Sequence, residues 1–314
     1  MADATPARLG QDNLGGSTDA LFLKVFANEV LEAFYTANIM KPLTLNRSIP
    51  SGKSATFPVT AKVAASYHTV GSEIVGQTVA MSEKVIVIDD KLIAPVFVGD
   101  LDEMKNHFDY RSIYKTAIGQ ALARVYDQRL LQVTILAARA AATITGGTGN
   151  AGGTVITQGA LATDGSAIAD TLHDAASVLD VNNVPEAGRH VVLLPTQYHL
   201  LARTPLVLNS FTGGSGSFRS GQTYEVAGFT VHKSNNVPTT VIASAAGDKN
   251  TYDGTFTNTV GAIFHEGAVG TLSLMDLAMQ SEYDIRRQGT LMVASMAVGH
   301  GILRPESAIE LKTA

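Results

Sequence analysis

The chain has 314 residues, a mass of 33.0 kDa and 45% apolar residues, enough for a sizeable core spread over about two domains at roughly 150 residues each. Its 23 Lys and Arg against 28 Asp and Glu leave a net charge of -5, which excludes a strong overall attraction to nucleic acid or to an anionic membrane. Cysteine is absent, so disulfides and thiolate metal sites are excluded and synthesis in a cytoplasm is expected.

Residues 1–16 are rich in Gly, Ala, Asp and Pro without periodicity, which predicts an arm that orders only against neighbours. They lack the basic start and apolar core of a secretory signal, and no apolar run of about 18 residues is present to span a bilayer. Over 20–34 the pattern becomes helical: Phe22, Val25, Phe26, Val30, Ala33 and Phe34 share a stripe, with Ser17, Thr18 or Asp19 available as cap. From 55 to 63 the alternation of Ala55, Phe57, Val59, Ala61 and Val63 with polar residues predicts a strand with one buried face, and Pro58 places it at an edge. A Gly-containing stretch over 66–77 and a second extended run over 83–98 complete a predicted hairpin.

Residues 109–142 hold few helix breakers. Tyr114, Ile118, Leu122, Val125, Tyr126, Leu130, Val133 and Ala137 form a broad stripe, which predicts one long helix. Lys115 and Arg129 interrupt that stripe, so part of this face is expected to meet a neighbouring subunit. A Gly/Thr-rich loop over 143–165 is the expected boundary, followed by a helix at 166–181, a buried strand at 190–194, a short helix at 196–203 and a Gly/Ser loop at 209–221. Strands are expected again at 260–266, 271–280 and 290–298, the last apolar on both faces.

Motifs of chemistry fail one by one. Gly147, Gly149 and Gly152 spell a dinucleotide fingerprint, but an Ala-rich helix precedes them and the residues TVIT follow, so no helix N-terminus is expected to face a pyrophosphate. Gly52, Lys53 and Ser54 end like a phosphate-binding loop whose first glycine would be at Arg47. His265 and Glu266 begin a zinc-protease motif whose second histidine would be at Val269. Ser215 lacks a nucleophile frame because Ser217 stands where glycine is needed, and the eight histidines show no ligand spacing. Arg286 and Arg287 are a lone basic pair, expected in a solvated turn. No catalytic residue, cofactor or metal is assigned, and no enzyme activity is expected.

Several segments, in order, carry a resemblance: ALFLKVFANEVLEAF from Ala20, RSIPSGKSATFPV from Arg47, EKVIVID from Glu83, Asn106 and His107 within MKNHFDYRS, NNVP from Asn182 and GHGILRPESA from Gly299. They resemble the major capsid proteins of short-tailed, T-seven-like podophages, which share the Hong Kong ninety-seven capsid fold. The likeness is weakest over 144–165 and 209–259. The resemblance implies an α+β chain with an N-terminal arm and helix at 1–46, an extended hairpin loop at 47–84 and a peripheral domain at 85–164 built on the spine helix 109–142. An axial domain at 165–264 follows, and 265–314 return to the peripheral sheet.

It also implies a virion protein, made late and assembled in the host cytoplasm into hexamers and pentamers of an icosahedral shell. A scaffolding protein during assembly and a portal protein at one vertex would be its partners, with no membrane involved. The net charge of -5 suggests that packaged double-stranded DNA is enclosed and not specifically bound. An encapsulin-type nanocompartment is the alternative implied by the same fold, and an enzyme using the Gly147 loop ranks third. A two-stranded ribbon is marginal alone, so the hairpin is expected to lie across an adjacent subunit. The contact candidates are Phe22, Phe26, Phe57, Val59, Val63, Tyr67, Lys115 and Arg129.

Overall fold

The computed structural model describes residues 38–99, 110–144, 151–204, 225–245 and 252–313, with backbone alone at 110–113 and 115. The expectations for 20–34, including Phe22 and Phe26, for Asn106 and His107, and for 209–221 lie outside the described residues. In chain order the elements are β1 (Leu45–Ser48), β2 (Ser54–Thr60), β3 (Met81–Val87), β4 (Leu92–Gly99), α1 (Tyr110–Arg139), β5 (Thr154–Thr157), α2 (Gly165–Val181), β6 (Arg189–Leu193), α3 (Pro195–Ala202), β7 (Glu225–Val226), β8 (Phe229–Lys233), β9 (Val241–Ile242), β10 (Gly254–Thr255), β11 (Thr259–His265), β12 (Val269–Asp284), β13 (Gly289–Ile302) and β14 (Ala308–Lys312).

Two compact units emerge, one of Met1–Asn38, Lys91–Tyr126 and Met275–Ala297, the other of Ile39–Asp90, Asp127–Leu274 and Val298–Ala314. In the first, β4 pairs antiparallel with β13, from Gly99 opposite Gly289 to Leu92 opposite Met296. Ile118, Leu122 and Tyr126, four residues apart along α1, are buried as the helical period requires.

The second unit is built on a six-stranded mixed sheet of order β5-β14-β11-β6-β8-β7. α2 lays Ile168, Leu172, Ala175 and Leu179 on one face, against Val191, Leu193, Phe229, Val231, Ile263, Ile309 and Leu311. The Asp164 carboxylate accepts from Ser166 N–H at 2.9 Å and starts that helix. β11 is buried along nearly its whole length because both its faces are covered, which removes the polar alternation of a half-solvated strand. The part of α1 in this unit is buried almost all round, at Leu130, Leu131, Val133, Ile135, Ala137 and Ala138, so no single stripe describes it.

One expected element divides. The extended run over 83–98 is two strands, β3 and β4, separated by Ile88–Lys91. The break falls at Asp89, whose N–H donates to Val298 O at 3.0 Å and whose half-buried side chain accepts from the Tyr252 hydroxyl.

Candidate assembly surface

β2 and β3 form an antiparallel ribbon from Ser54 opposite Val87 to Thr60 opposite Met81. The pleat divides its side chains by face. On the inner face Ile86 is buried with Leu272 and Leu303, and Ala55 and Phe57 are half-buried against them. Farther along, Val59 and Ala61 are buried with Ile144 and backed by Val79. The outer face carries Thr56, Pro58 and Thr60 opposite exposed Val85, Glu83 and Met81, so Glu83 is its one charged residue.

Beyond the ribbon, residues 61–80 form an arch with little regular structure. Val63 is 68% exposed, Ile74 and Val75 80%, Val70 97%, and Tyr67 fully exposed. Little within the arch restrains it: the Gln77 amide donates to Ala64 O, and Ser72 N–H and hydroxyl donate to Thr69 O. Lys62 Nζ reaches Asn182 O at 3.3 Å. Scattered exposed apolar residues are ordinary, whereas this many on one projecting segment form a surface that water covers at a cost.

Of the candidates named from sequence, Val63 and Tyr67 lie on this arch in full view of solvent. Phe57 and Val59 belong to the ribbon's inner face; Val59 is covered by its own chain, and the Arg47 guanidinium stands 5.4 Å over the Phe57 ring. Arg129 is half-buried and donates to Gln132 Oε1 at 3.2 Å. Lys115 is on α1, with its side chain outside the described set. Sequence reasoning passed over Val70, Ile74, Val75, Met81, Val85 and Val87. The signal was a run of apolar residues inside a stretch whose glycines announce a loop, where polar residues are expected.

The root of the ribbon rests on polar groups. Ile88 N–H donates to Lys53 O at 2.8 Å and closes the ribbon's end. The Tyr252 hydroxyl donates to Asp89 Oδ2 at 2.5 Å and accepts from His300 N–H at 3.0 Å. His300 Nδ1 lies 3.0 Å from Thr271 Oγ1. Burial pushes the Asp89 carboxyl up to about 6, although the Tyr252 hydrogen bond and the Arg129 charge act the other way. Burial also holds the His300 imidazole neutral, down to about 3, and Arg129 adds to that effect. Gly299 is required there: a Cβ would lie 2.1 Å from Val87 O.

Two buried carboxylates fasten α1. Asp127 accepts from Ile39 N–H at 2.9 Å and Met40 N–H at 3.0 Å, and burial pushes it up to about 6. Glu310, fully buried, takes a bidentate pair from Arg139, 2.6 Å at Nε and 2.5 Å at Nη2, plus the Thr259 hydroxyl at 2.6 Å.

Gly147 and Gly149 lie outside the described residues; a Cβ on Gly152, the last fingerprint glycine, would lie 3.1 Å from Ala140 O, just past the same helix, and its neighbour Gly153 is held there too. Gly153 N–H donates to Ala140 O at 2.9 Å, and a Cβ on Gly153 would lie 2.3 Å from Ala137 O. That part of the loop is pressed onto the C-terminal, electronegative end of α1, the opposite of a phosphate site. His265 ends a strand and not a helix, and Arg287 pairs with Asp284 at 3.6 Å in an exposed turn. Among the described residues no three His, Asp or Glu side chains are placed to hold a metal ion.

A family model described as "Gp10A-like: Major capsid protein" matches residues 56–312. The chain is 32% identical to the major capsid protein of Escherichia phage T7, over 93% of this chain and 92% of that protein. It is 33% identical to the major capsid protein of Enterobacteria phage T3, over 92% and 90%. Among solved structures, the capsid of the cyanophage P-SCSP1u is 41% identical, with a TM-score of 0.79 over 100% of this chain and 99% of that one. A virus-like particle from Pyrococcus furiosus, 12% identical with a TM-score of 0.60 over 93% and 99%, shares the fold.

Proposed function

The chain belongs to the Gp10A-like family of phage major capsid proteins, and from that premise we propose how it closes its shell. It is a structural protein of the virion that assembles with copies of itself into an icosahedral capsid. Hexamers and pentamers form when the ribbon and its arch lie across the adjacent subunit. The observation that carries this is the apolar arch at 61–80, with Val63, Tyr67, Val70, Ile74 and Val75 uncovered in the single chain. Burial returns roughly 25 cal/mol per Å² of apolar area, and a neighbouring copy is the cover present at every position of a shell.

Phe57 and Arg129, each half-buried, are further contact candidates, as are Phe22, Phe26, Lys115 and the remaining surface of Val59. The arm at 1–46, the loop at 47–84, the peripheral domain at 85–164 with its spine helix, the axial domain at 165–264 and the return at 265–314 remain the functional division proposed here. Heterologous contacts of this kind, each modest, close into rings and tolerate the unequal environments of a shell.

A scaffolding protein guides assembly in the host cytoplasm, a portal protein replaces one vertex, and the shell confines double-stranded DNA without gripping it, in keeping with the net charge of -5. The chain has no catalytic part in this. Electron micrographs of the purified particle test the assembly, with nuclease-protected DNA inside as the expected content; enclosed protein cargo without DNA would turn the reading toward a nanocompartment. Hydrogen exchange tests the contact: residues 61–80 are expected to be unprotected in free subunits and protected in shells. Equal exchange in both states would remove the arch from the interface.

A further inference from the structure

The exposed arch is only as well aimed as the root of its ribbon, and that root is held by an unusual group. Tyr252 keeps a backbone φ of +50°, in the left-handed region that a bulky side chain avoids. The position persists because its hydroxyl is fully engaged, donating to Asp89 at 2.5 Å and accepting from His300 N–H at 3.0 Å. Three segments distant in sequence meet at that one oxygen: the end of the ribbon, the short strands around β10, and β13. Two backbone contacts complete the junction, Asp89 N–H to Val298 O at 3.0 Å and Ile88 N–H to Lys53 O at 2.8 Å.

We infer that the Tyr252 hydroxyl is a latch that fixes the root of the β2–β3 ribbon to β13, and so sets the direction in which the arch is offered. Tyr252 acts through Asp89 and is a positioning residue. Its use in assembly rests on the reading of the arch as a contact between copies; the latch itself is a property of the single chain.

The neighbouring charged and titratable groups are Asp90, which opposes ionisation of Asp89, Arg129, which favours it, and His300, held neutral by burial. Burying an ionised Asp89 is costly, so its rise to about 6 means that the closed latch binds a proton more tightly than the open one. Asp89 by itself therefore loosens the root as pH rises through about 6, while the buried His300, pushed down to about 3, favours the closed root as pH rises toward 6.5, so the two groups oppose each other.

Hydrogen exchange on the unassembled full-length chain, corrected for the intrinsic pH dependence of exchange, tests the latch without reference to any shell. Tyr252→Phe keeps the ring and removes the hydroxyl. Protection at Ile88, Asp89 and His300 and across residues 54–60 and 81–87 is expected to fall tenfold or more, while β6 and β11 keep theirs. The Asp89 contribution is read by difference, because His300 acts in the opposite sense: root protection of wild type relative to Asp89→Asn is expected to decline as pH rises from 4 through 6. Undiminished root protection in Tyr252→Phe would overturn the latch. So would an equal loss in root and sheet, or an unchanged pH profile in Asp89→Asn.

Discussion

The six-stranded sheet and the arch are made of similar residues and have opposite fates. In the sheet, Val191, Leu193, Ile263 and Ile309 are fully buried under α2. In the arch, Val63, Val70, Ile74 and Val75 have comparable side chains and mostly face solvent. The difference is cover. Two helices follow the sheet strands closely in sequence and supply it locally, whereas the arch projects past the last paired residues, Thr60 and Met81, where no other described element lies over its exposed side chains. A segment that cannot bury its apolar surface alone leaves that free energy for association.

The largest effect expected in the sheet unit comes from the ion pair of partly exposed Arg139 with fully buried Glu310. Arg139→Met takes the guanidinium away from the fully buried Glu310 carboxyl, leaving it the Thr259 hydroxyl, and should cost about 3–5 kcal/mol in urea unfolding of the unassembled subunit. Leu172→Ala opens a cavity between α2 and the sheet and should cost about 2–5 kcal/mol in the same measurement. Values near zero for either would mean that this region is not the rigid one.

A pH comparison separates two buried groups of opposite sign. Asp127 is raised from 3.8 to about 6, so its contribution to stability is present in full below its unfolded value and is lost as pH rises through about 6. At about 1.4 kcal/mol per pKa unit this is on the order of 3 kcal/mol between pH 4 and 7. His300 works in reverse: its value falls from 6.5 to about 3, so its contribution is present above pH 6.5 and lost as pH falls toward 3. Subtracting the pH profile of Asp127→Asn from that of wild type should isolate the carboxyl; identical profiles would mean that Asp127 titrates normally.

The smallest effect on the subunit belongs to the arch, and there the comparison is sharpest. Tyr67→Ser combined with Ile74→Ser should change subunit stability by no more than about 0.5 kcal/mol, since neither side chain is covered. The same double variant should fail to form complete shells by electron microscopy or sedimentation. Normal shells would separate the arch from assembly.

Much of this was legible before any coordinates. The period of Ile168, Leu172, Ala175 and Leu179 located α2 within a residue, and the alternation through Phe57 and Val59 located β2, because a regular element with one buried face writes its own repeat into the chain. The missing cysteines and the failed motifs were equally visible. The break at 88–91 was not, because IVIDD carries no breaker and the turn is imposed from outside by Val298 and Tyr252. Nor were the exposed Val70, Ile74 and Val75 of the arch, since local sequence marks a side chain as apolar without saying whether anything arrives to cover it.

The sequence by itself determined the described helices α1, α2 and α3, the longer strands and the inner face of the ribbon, since these follow from backbone geometry over a few residues, while the short strands β1, β7, β9 and β10 and the strands β8 and β14 left no such mark. Tertiary structure alone decided the parallel pairings of β1 with β12, β5 with β14 and β6 with β8, and the burial of Asp127 and Glu310 beside partners many residues away. Strand partners and charge partners are chosen by closure of the whole chain. Periodicity records which face is hidden and carries no trace of what hides it.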